Sequence, residues 1–382
     1  MGPAPTHPGG VSTYNAKLAK SLAKYVELQP VWIDPVIPHA FYPFALLRTE
    51  PDATGESSLL RSAFTLNPFS LVSWFKLAKA LRRSQPDCAI VQWWSAAVAP
   101  IIVLGLLLFN IRDMKVYLDM HETVDPSEGR SFIVATMGKW SLKLLGSRSG
   151  FIVHADDQTS ALRAILGKKT AAVRQVLHPL YSHYPRTGKL EARTELGIER
   201  QHLVLAFGTI RHYKGLEFLL EAYESLPPQL RSTTNLAVVG GTWRGESEAV
   251  LRRVSESAAR DGILLRAEYV SDREAGLWFS AADLVVQPYL RGSQSGVTTI
   301  AMAYGLPCLV TATPIAQQLQ AIYSGIYTTP MADAQTLTAR IREILESREI
   351  RYKIPQGLDW DHAAQEYVRL IIGDVENNEE LM

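Results

Sequence analysis

Phe207-Gly208-Thr209-Ile210-Arg211-His212-Tyr213-Lys214-Gly215 stands between an apolar run, 203–207, that reads as a strand and an amphipathic run, 216–226, that reads as a helix. Strand, glycine turn and helix in that order open a βα unit, and such a helix begins with unpaired amides at the positive end of its dipole. Gly208 lets the backbone turn without a Cβ, and Arg211 and Lys214 fall where a diphosphate would lie. On this stretch alone, two cations flanking an exposed turn explain the residues equally well.

The same alternation recurs in both directions. Downstream, strands are predicted at 236–239, 264–269, 284–287 and 308–311. Upstream, they are predicted at 29–33, 88–92, 115–118, 150–154 and 172–177, with helices at 13–25 and 71–83. Strands alternating with amphipathic helices imply parallel sheets. The polar stretch 178–193, rich in Pro and Gly, reads as a linker. The expected fold is therefore α/β, two Rossmann-like doubly wound domains facing each other across a cleft. Residues 1–185 form the first domain and 186–355 the second, and 356–382 hold a closing amphipathic helix.

Composition agrees. A chain of 382 residues with 47% hydrophobic and 20% charged residues can fill two cores. Its 39 basic and 38 acidic residues leave a formal net charge of +1, which excludes a global field for nucleic acid or an anionic membrane. Cys88 and Cys308 each sit in an apolar run, so buried structural thiols and a cytoplasmic, reducing compartment are expected. The apolar stretch 96–109 falls short of the roughly 20 residues that span a bilayer and reads as a buried helix. No secretory signal is read at the start of the sequence. Lys17, Lys20 and Lys24 on one helix and Lys76, Lys79, Arg82 and Arg83 on another read first as solvated faces. Peripheral contact of the first domain with a membrane is the alternative.

Other loops after strands hold further candidates, because open α/β sheets bind ligands at the carboxyl ends of their strands. Val239-Gly240-Gly241-Thr242 can bring backbone close to a ligand. Ser295 and Gly296, in the run 291–299 that opens an apolar helix, can offer a hydroxyl and amides to phosphate oxygens, although a plain helix cap explains them too. In the first half, Gly9-Gly10 leads into a helix, and His121 ends a strand and can hydrogen-bond a sugar hydroxyl. A structural histidine is the simpler reading. Glu122, Asp125 and Glu128 follow in the same loop.

The ordered set of these pieces resembles glycosyltransferase family 4, the retaining GT-B enzymes. Its marks are Gly9-Gly10-Val11, Phe207-Gly208 through Arg211, Lys214 and Gly215, Val239-Gly240-Gly241, Ala282-Asp283-Leu284-Val285-Val286-Gln287-Pro288 and Ala301-Met302-Ala303-Tyr304-Gly305-Leu306-Pro307. The resemblance implies transfer of a sugar from a nucleotide diphosphate sugar to a carbohydrate or lipid-linked acceptor in glycan synthesis, with retention and with no cofactor or required metal. Carried over, Arg211 and Lys214 neutralise the departing diphosphate, and Ser295, Gly296 and Val297 bind it at the helix start. Gly10, Gly208 and Gly240 allow close approach, Tyr269 and Val270 meet the base, and His121 contacts the donor sugar. Many members carry two glutamates where this sequence has Gly292 and Ile300, and Gln294-Ser295-Gly296-Val297 resembles a sub-group lacking both acids. An epimerase or hydrolase on the same architecture, or a non-catalytic binder of sugar nucleotides, remains the alternative. A Rossmann oxidoreductase fits less well, for want of a G-x-G-x-x-G turn after a strand. The resemblance also places an apolar strand before Gly9-Gly10. Residues 1–8, with Pro3, Pro5 and Pro8, predict no central strand there, so that the first strand is expected to be missing.

Overall fold

The structure is a computed structural model and describes residues 1–7, 9–36, 63–108, 114–122, 132–146, 149–167, 172–242, 247–291, 295–347 and 351–379. The chain divides into two compact units, one of Met1–Pro179 with Gly357–Met382 and one of Leu180–Gln356.

The first unit runs β1 (Gly2–Pro3), α1 (Gly10–Leu22), β2 (Val31–Ile33), β3 (Phe64–Leu66), α2 (Leu71–Ser84), β4 (Cys88–Trp93), α3 (Ala99–Leu108), β5 (Lys115–Met120), α4 (Phe132–Leu145), β6 (Ser149–Val153), α5 (Asp156–Leu166) and β7 (Val173–Gln175). All its pairings are parallel, in the orders β1-β2-β3 and β4-β5-β6-β7. Met1 joins the two ladders, donating from its nitrogen to Ile90 O at 2.6 Å and accepting from Gln92 N at 2.9 Å. The expectation of a missing first strand is thus corrected: β1 lies between β2 and β4. Towards β4 the ladder stops at Pro3, which has no N–H to give and whose carbonyl accepts from Asn15 Nδ2 at 3.1 Å, while towards β2 it runs on through Ala4 N, which donates to Ile33 O at 3.2 Å.

The second unit runs α6 (Lys189–Leu196), β8 (His202–Phe207), α7 (Leu216–Glu224), α8 (Pro228–Ser232), β9 (Thr234–Val239), α9 (Glu248–Ser255), β10 (Ile263–Arg266), α10 (Asp272–Ala281), β11 (Leu284–Gln287), α11 (Gly296–Ala303), β12 (Cys308–Thr311), α12 (Pro314–Ile322), β13 (Ile326–Thr329) and α13 (Ala334–Glu346). Its parallel sheet has the order β10-β9-β8-β11-β12-β13. β9 and β11 are buried along their whole length, as strands covered on both faces must be. A last helix, α14 (Trp360–Glu379), belongs to the first unit and packs on α1.

Right-handed crossovers set the helix layers of the first unit. The chain moves one way from β1 to β3 and the other way from β3 to β7, so α1 lies on one face and α2, α3, α4 and α5 on the other. α1 is covered by α14: Tyr14 meets the Trp360 ring with centroids 5.1 Å apart, and Lys24 pairs with Asp361 at 2.7 Å. Lys17 and Lys20 are half-buried, so α1 is not a fully solvated face. The run 96–109 does form a helix, α3, with Ala99 and Ile102 buried. Cys308 is buried and Cys88 half-buried, both as free thiols.

Candidate functional site

In the second unit the strand order reverses between β8 and β11, so the loops after these two strands flank the point where doubly wound sheets bind ligands. The loop after β8 lies against the loop after β9. Gly208 N donates to Val239 O at 2.8 Å and Ile210 N to Gly241 O at 2.8 Å. Gly208 and Gly240 have φ of +102° and +149°, and a Cβ on Gly240 would sit 2.2 Å from Gly208 O. Only glycine fits there. The loop after β8 also meets the one after β11, where Leu290 N donates to Tyr213 O at 2.7 Å.

Lys214 is turned into this corner with 9% exposure, its Nζ 5.1 Å from the centroid of the Tyr289 ring. It has no ion pair with a described carboxylate. Burial holds its pKa below the ordinary lysine value, and the Arg211 charge adds to the shift while Tyr213 opposes it. A Cβ built on Gly208 would lie 2.7 Å from Lys214 Nζ and 3.6 Å from Val297 Cγ2, so the ammonium, the bare Gly208 Cα and the first turn of α11 converge. Ser295 is the N-cap of α11, yet its side chain makes no cap hydrogen bond and stands 3.4 Å from the Tyr289 hydroxyl. The plain-cap reading therefore fails for Ser295. A buried ammonium beside an uncapped helix start is costly without an anion and stabilised by one. Arg211 stacks over Tyr213, Cζ 5.1 Å from the ring centroid. Tyr269 is 43% exposed after β10 and Val270 is buried. Ile300 is buried at 4% exposure, while Gly292 lies outside the described residues.

In the first unit His121 is not alone. It follows β5 half-buried, its ring edge-on to Tyr14 with centroids 4.6 Å apart. Asp119, fully buried two residues earlier, lies with Oδ1 3.0 Å from His154 Nε2. Its Oδ2 accepts from Gln92 Nε2 at 3.0 Å and from the Tyr367 hydroxyl at 2.8 Å. Gln92 then offers Oε1 to His121 Nε2, which fixes the proton on Nε2 and leaves Nδ1 as the acceptor. Burial pushes the His121 pKa down to about 4, and the His154 charge adds to the shift while Asp119 opposes it. Burial opposes the His154 cation most, but the Asp119 carboxylate, helped by the Val176 carbonyl 2.8 Å from Nδ1, outweighs it and raises the pKa. His178 is pushed to about 3 by burial and by His154. Asp119, His121 and His154 hold ligand-type atoms within 4.8 Å of one another, but protein groups already engage Asp119 Oδ2, His121 Nε2 and His154 Nδ1.

The structure thus groups Gly208, Lys214, Gly240, Ser295, Gly296 and Val297 with their neighbour Arg211 in the second unit, and holds His121 in the first. Gly10 is exposed at the start of α1, whose N-cap Gly9 makes no side-chain cap bond. Asp125 and Glu128 lie outside the described residues. Sequence reasoning missed Gln92, His154 and Tyr367 and gave Asp119 no role. A signal was present, since Gln92, Asp119 and His154 are polar residues at the ends of three successive apolar runs.

Both units show the strand order 3-2-1-4-5-6 of Rossmann-like sheets, the first with a seventh strand, and together they define the GT-B class of α/β fold. Residues 189–357 match the family model described as glycosyl transferases group 1. A curated relative, D-inositol 3-phosphate glycosyltransferase of Pseudarthrobacter chlorophenolicus, is 32% identical over 140 residues, which are 36% of this chain and 32% of that protein. The match therefore spans about a third of the relative's length. Among solved structures, sucrose-phosphate synthase from Thermosynechococcus elongatus superimposes with a TM-score of 0.72 at 17% identity, over 97% of this chain and 94% of that one. Anabaena HepE in complex with UDP-glucose does so with a TM-score of 0.67 at 14% identity, over 100% and 98%.

Proposed function

We propose that the chain is a glycosyltransferase that moves a sugar from a nucleotide diphosphate sugar to an acceptor hydroxyl with retention at the anomeric carbon. The observation that carries this reading is the convergence of the buried Lys214 ammonium, the Cβ-less Gly208 and the uncapped start of α11. Positive charge and free amides fixed where negative charge develops on a leaving diphosphate are the main means by which such a site lowers a barrier. In this reading Lys214 and Arg211 neutralise the diphosphate, so no metal is required. Ser295, Gly296 and Val297 receive phosphate oxygens, and Gly208 and Gly240 let them approach. Tyr269 and Val270 meet the base, and Gly10 opens the first unit's loop towards phosphate. His121, with its Nε2 proton engaged by Gln92, offers Nδ1 to a donor-sugar hydroxyl.

The matched family model, the relative's name and the UDP-glucose bound to HepE support a nucleotide-sugar donor. The deciding experiment is a panel of nucleotide sugars assayed for binding and for turnover, with and without candidate glycan and lipid-linked acceptors. Acceptor-dependent turnover with one donor, falling roughly 100- to 1000-fold in Lys214→Ala, is the expected result. Turnover without acceptor would make the protein a hydrolase or epimerase, and binding without turnover a sugar-nucleotide binder.

A further inference from the structure

Helices α2, α3 and α4 succeed one another on the face of the first sheet opposite α1 and α14, and they contain no Asp or Glu. α2 buries Trp74 and Leu77 and turns Leu71, Val72 and Phe75 outward at 73%, 62% and 74% exposure, with Phe69 in the preceding turn at 58%. Lys76, Lys79, Arg82 and Arg83 continue the same outward arc and are exposed, and none is ion-paired with a described residue. α4 repeats the pattern at i, i+3 and i+7 with Met137, Trp140 and Leu144 exposed, Trp140 at 72%, beside exposed Lys139 and Lys143. Four cations on α2 and two on α4 stand out in a chain of formal net charge +1.

Scattered exposed apolar residues need no explanation, but large ones gathered at one helix end, with four cations along the same helix, do. A helix that pairs Phe, Leu and Trp with Lys and Arg, and carries no acid, has the composition of one lying in the headgroup region of a bilayer. We propose that this face docks on an anionic membrane surface. Phe69, Leu71, Val72, Phe75 and Trp140 enter the boundary between headgroups and acyl chains, and the basic residues of α2 and α4 meet lipid phosphates. Charge complementarity selects an anionic bilayer over a neutral one. Among the described residues no helix is long and apolar enough to cross a membrane, so the attachment is peripheral. The proposal is independent of sugar transfer, and its test involves no donor.

The test is co-sedimentation of the full chain with vesicles of phosphatidylcholine alone and of phosphatidylcholine mixed with phosphatidylglycerol. Binding to the mixed vesicles is expected, weakening as added salt shortens the screening length from about 10 Å at 0.1 M to about 3 Å at 1 M. Lys79→Gln and Arg82→Gln should each lower the partition coefficient about fivefold. Leu71→Ser with Phe75→Ser should lower it further without shifting the melting temperature, since both side chains are in solvent. Wild-type protein that sediments with neither vesicle, or variants that partition like wild type, would overturn the proposal. Self-association lost in the double serine variant, without vesicle binding, would also overturn it and assign the face to a second copy of the chain.

Discussion

Lys214 meets two opposed demands, because burial disfavours its charge while the proposed reaction needs it. Replacing a buried, unpaired ammonium by an apolar group of similar length relieves desolvation. Lys214→Met is therefore expected to keep or raise the melting temperature without ligand while losing the proposed activity. A variant that melts early and whose folded fraction keeps its turnover would make Lys214 structural. The histidines give a pH prediction whose sign follows from their shifts. His121 and His178 have folded pKa values of about 4 and about 3, below the ordinary 6.5. The unfolded chain thus binds more protons below pH 6.5, and stability falls as pH drops from 6.5 towards 4. The Asp119 carboxylate, held low, contributes stability until the pH falls through its own folded value. The raised pKa of His154 gives stability that is fully present below 6.5 and fades only as pH rises through its folded value. Urea midpoints at pH 7 and pH 4.5 check this, and His178→Asn should flatten the difference.

At the scale of elements, the stacking of the loops after β8 and β9 is the most constrained feature of the candidate site. Gly240→Ala would set a Cβ 2.2 Å from Gly208 O at a φ of +149°, and should cost at least about 1–3 kcal/mol. Gly241→Ala, whose Cβ would meet Tyr269 N at an ordinary 3.7 Å, is the control and should melt much closer to wild type. Elements with three or more apolar residues in a run were legible in the sequence, as β8, β9, β11 and β12 show. β1 and β3 were not, because two or three residues carry too little pattern to outweigh neighbouring prolines and polar positions. For β1 the tertiary context decides, since bonds to Ile33, Ile90 and Gln92 hold a segment whose composition argues against a strand. The turns after β8 and β9 were legible because glycine and cations at a strand end have a local meaning. The Gln92–Asp119–His154–Tyr367 network was not, because its members come together only through the sheet and α14.

For the whole molecule, α14 closes the first unit. The Tyr367 hydroxyl bonds Asp119 at 2.8 Å and lies 3.0 Å from the Tyr14 hydroxyl, so residues 248 positions apart share one buried network. Tyr367→Phe leaves Asp119 Oδ2 with Gln92 alone and should cost about 1–3 kcal/mol, read from urea unfolding. A change under about 0.5 kcal/mol would show that the network does not depend on α14. In the second unit, the proposed function requires the corner between β8 and β11 to receive a nucleoside diphosphate. Calorimetric titration of UDP, GDP and ADP into wild-type protein and Lys214→Ala tests it most directly. At least one of them should bind the wild type, with affinity about 10- to 100-fold weaker in the variant, the scale of a hydrogen bond to a charged group. Binding to neither protein, or equal affinity for both, would contradict it.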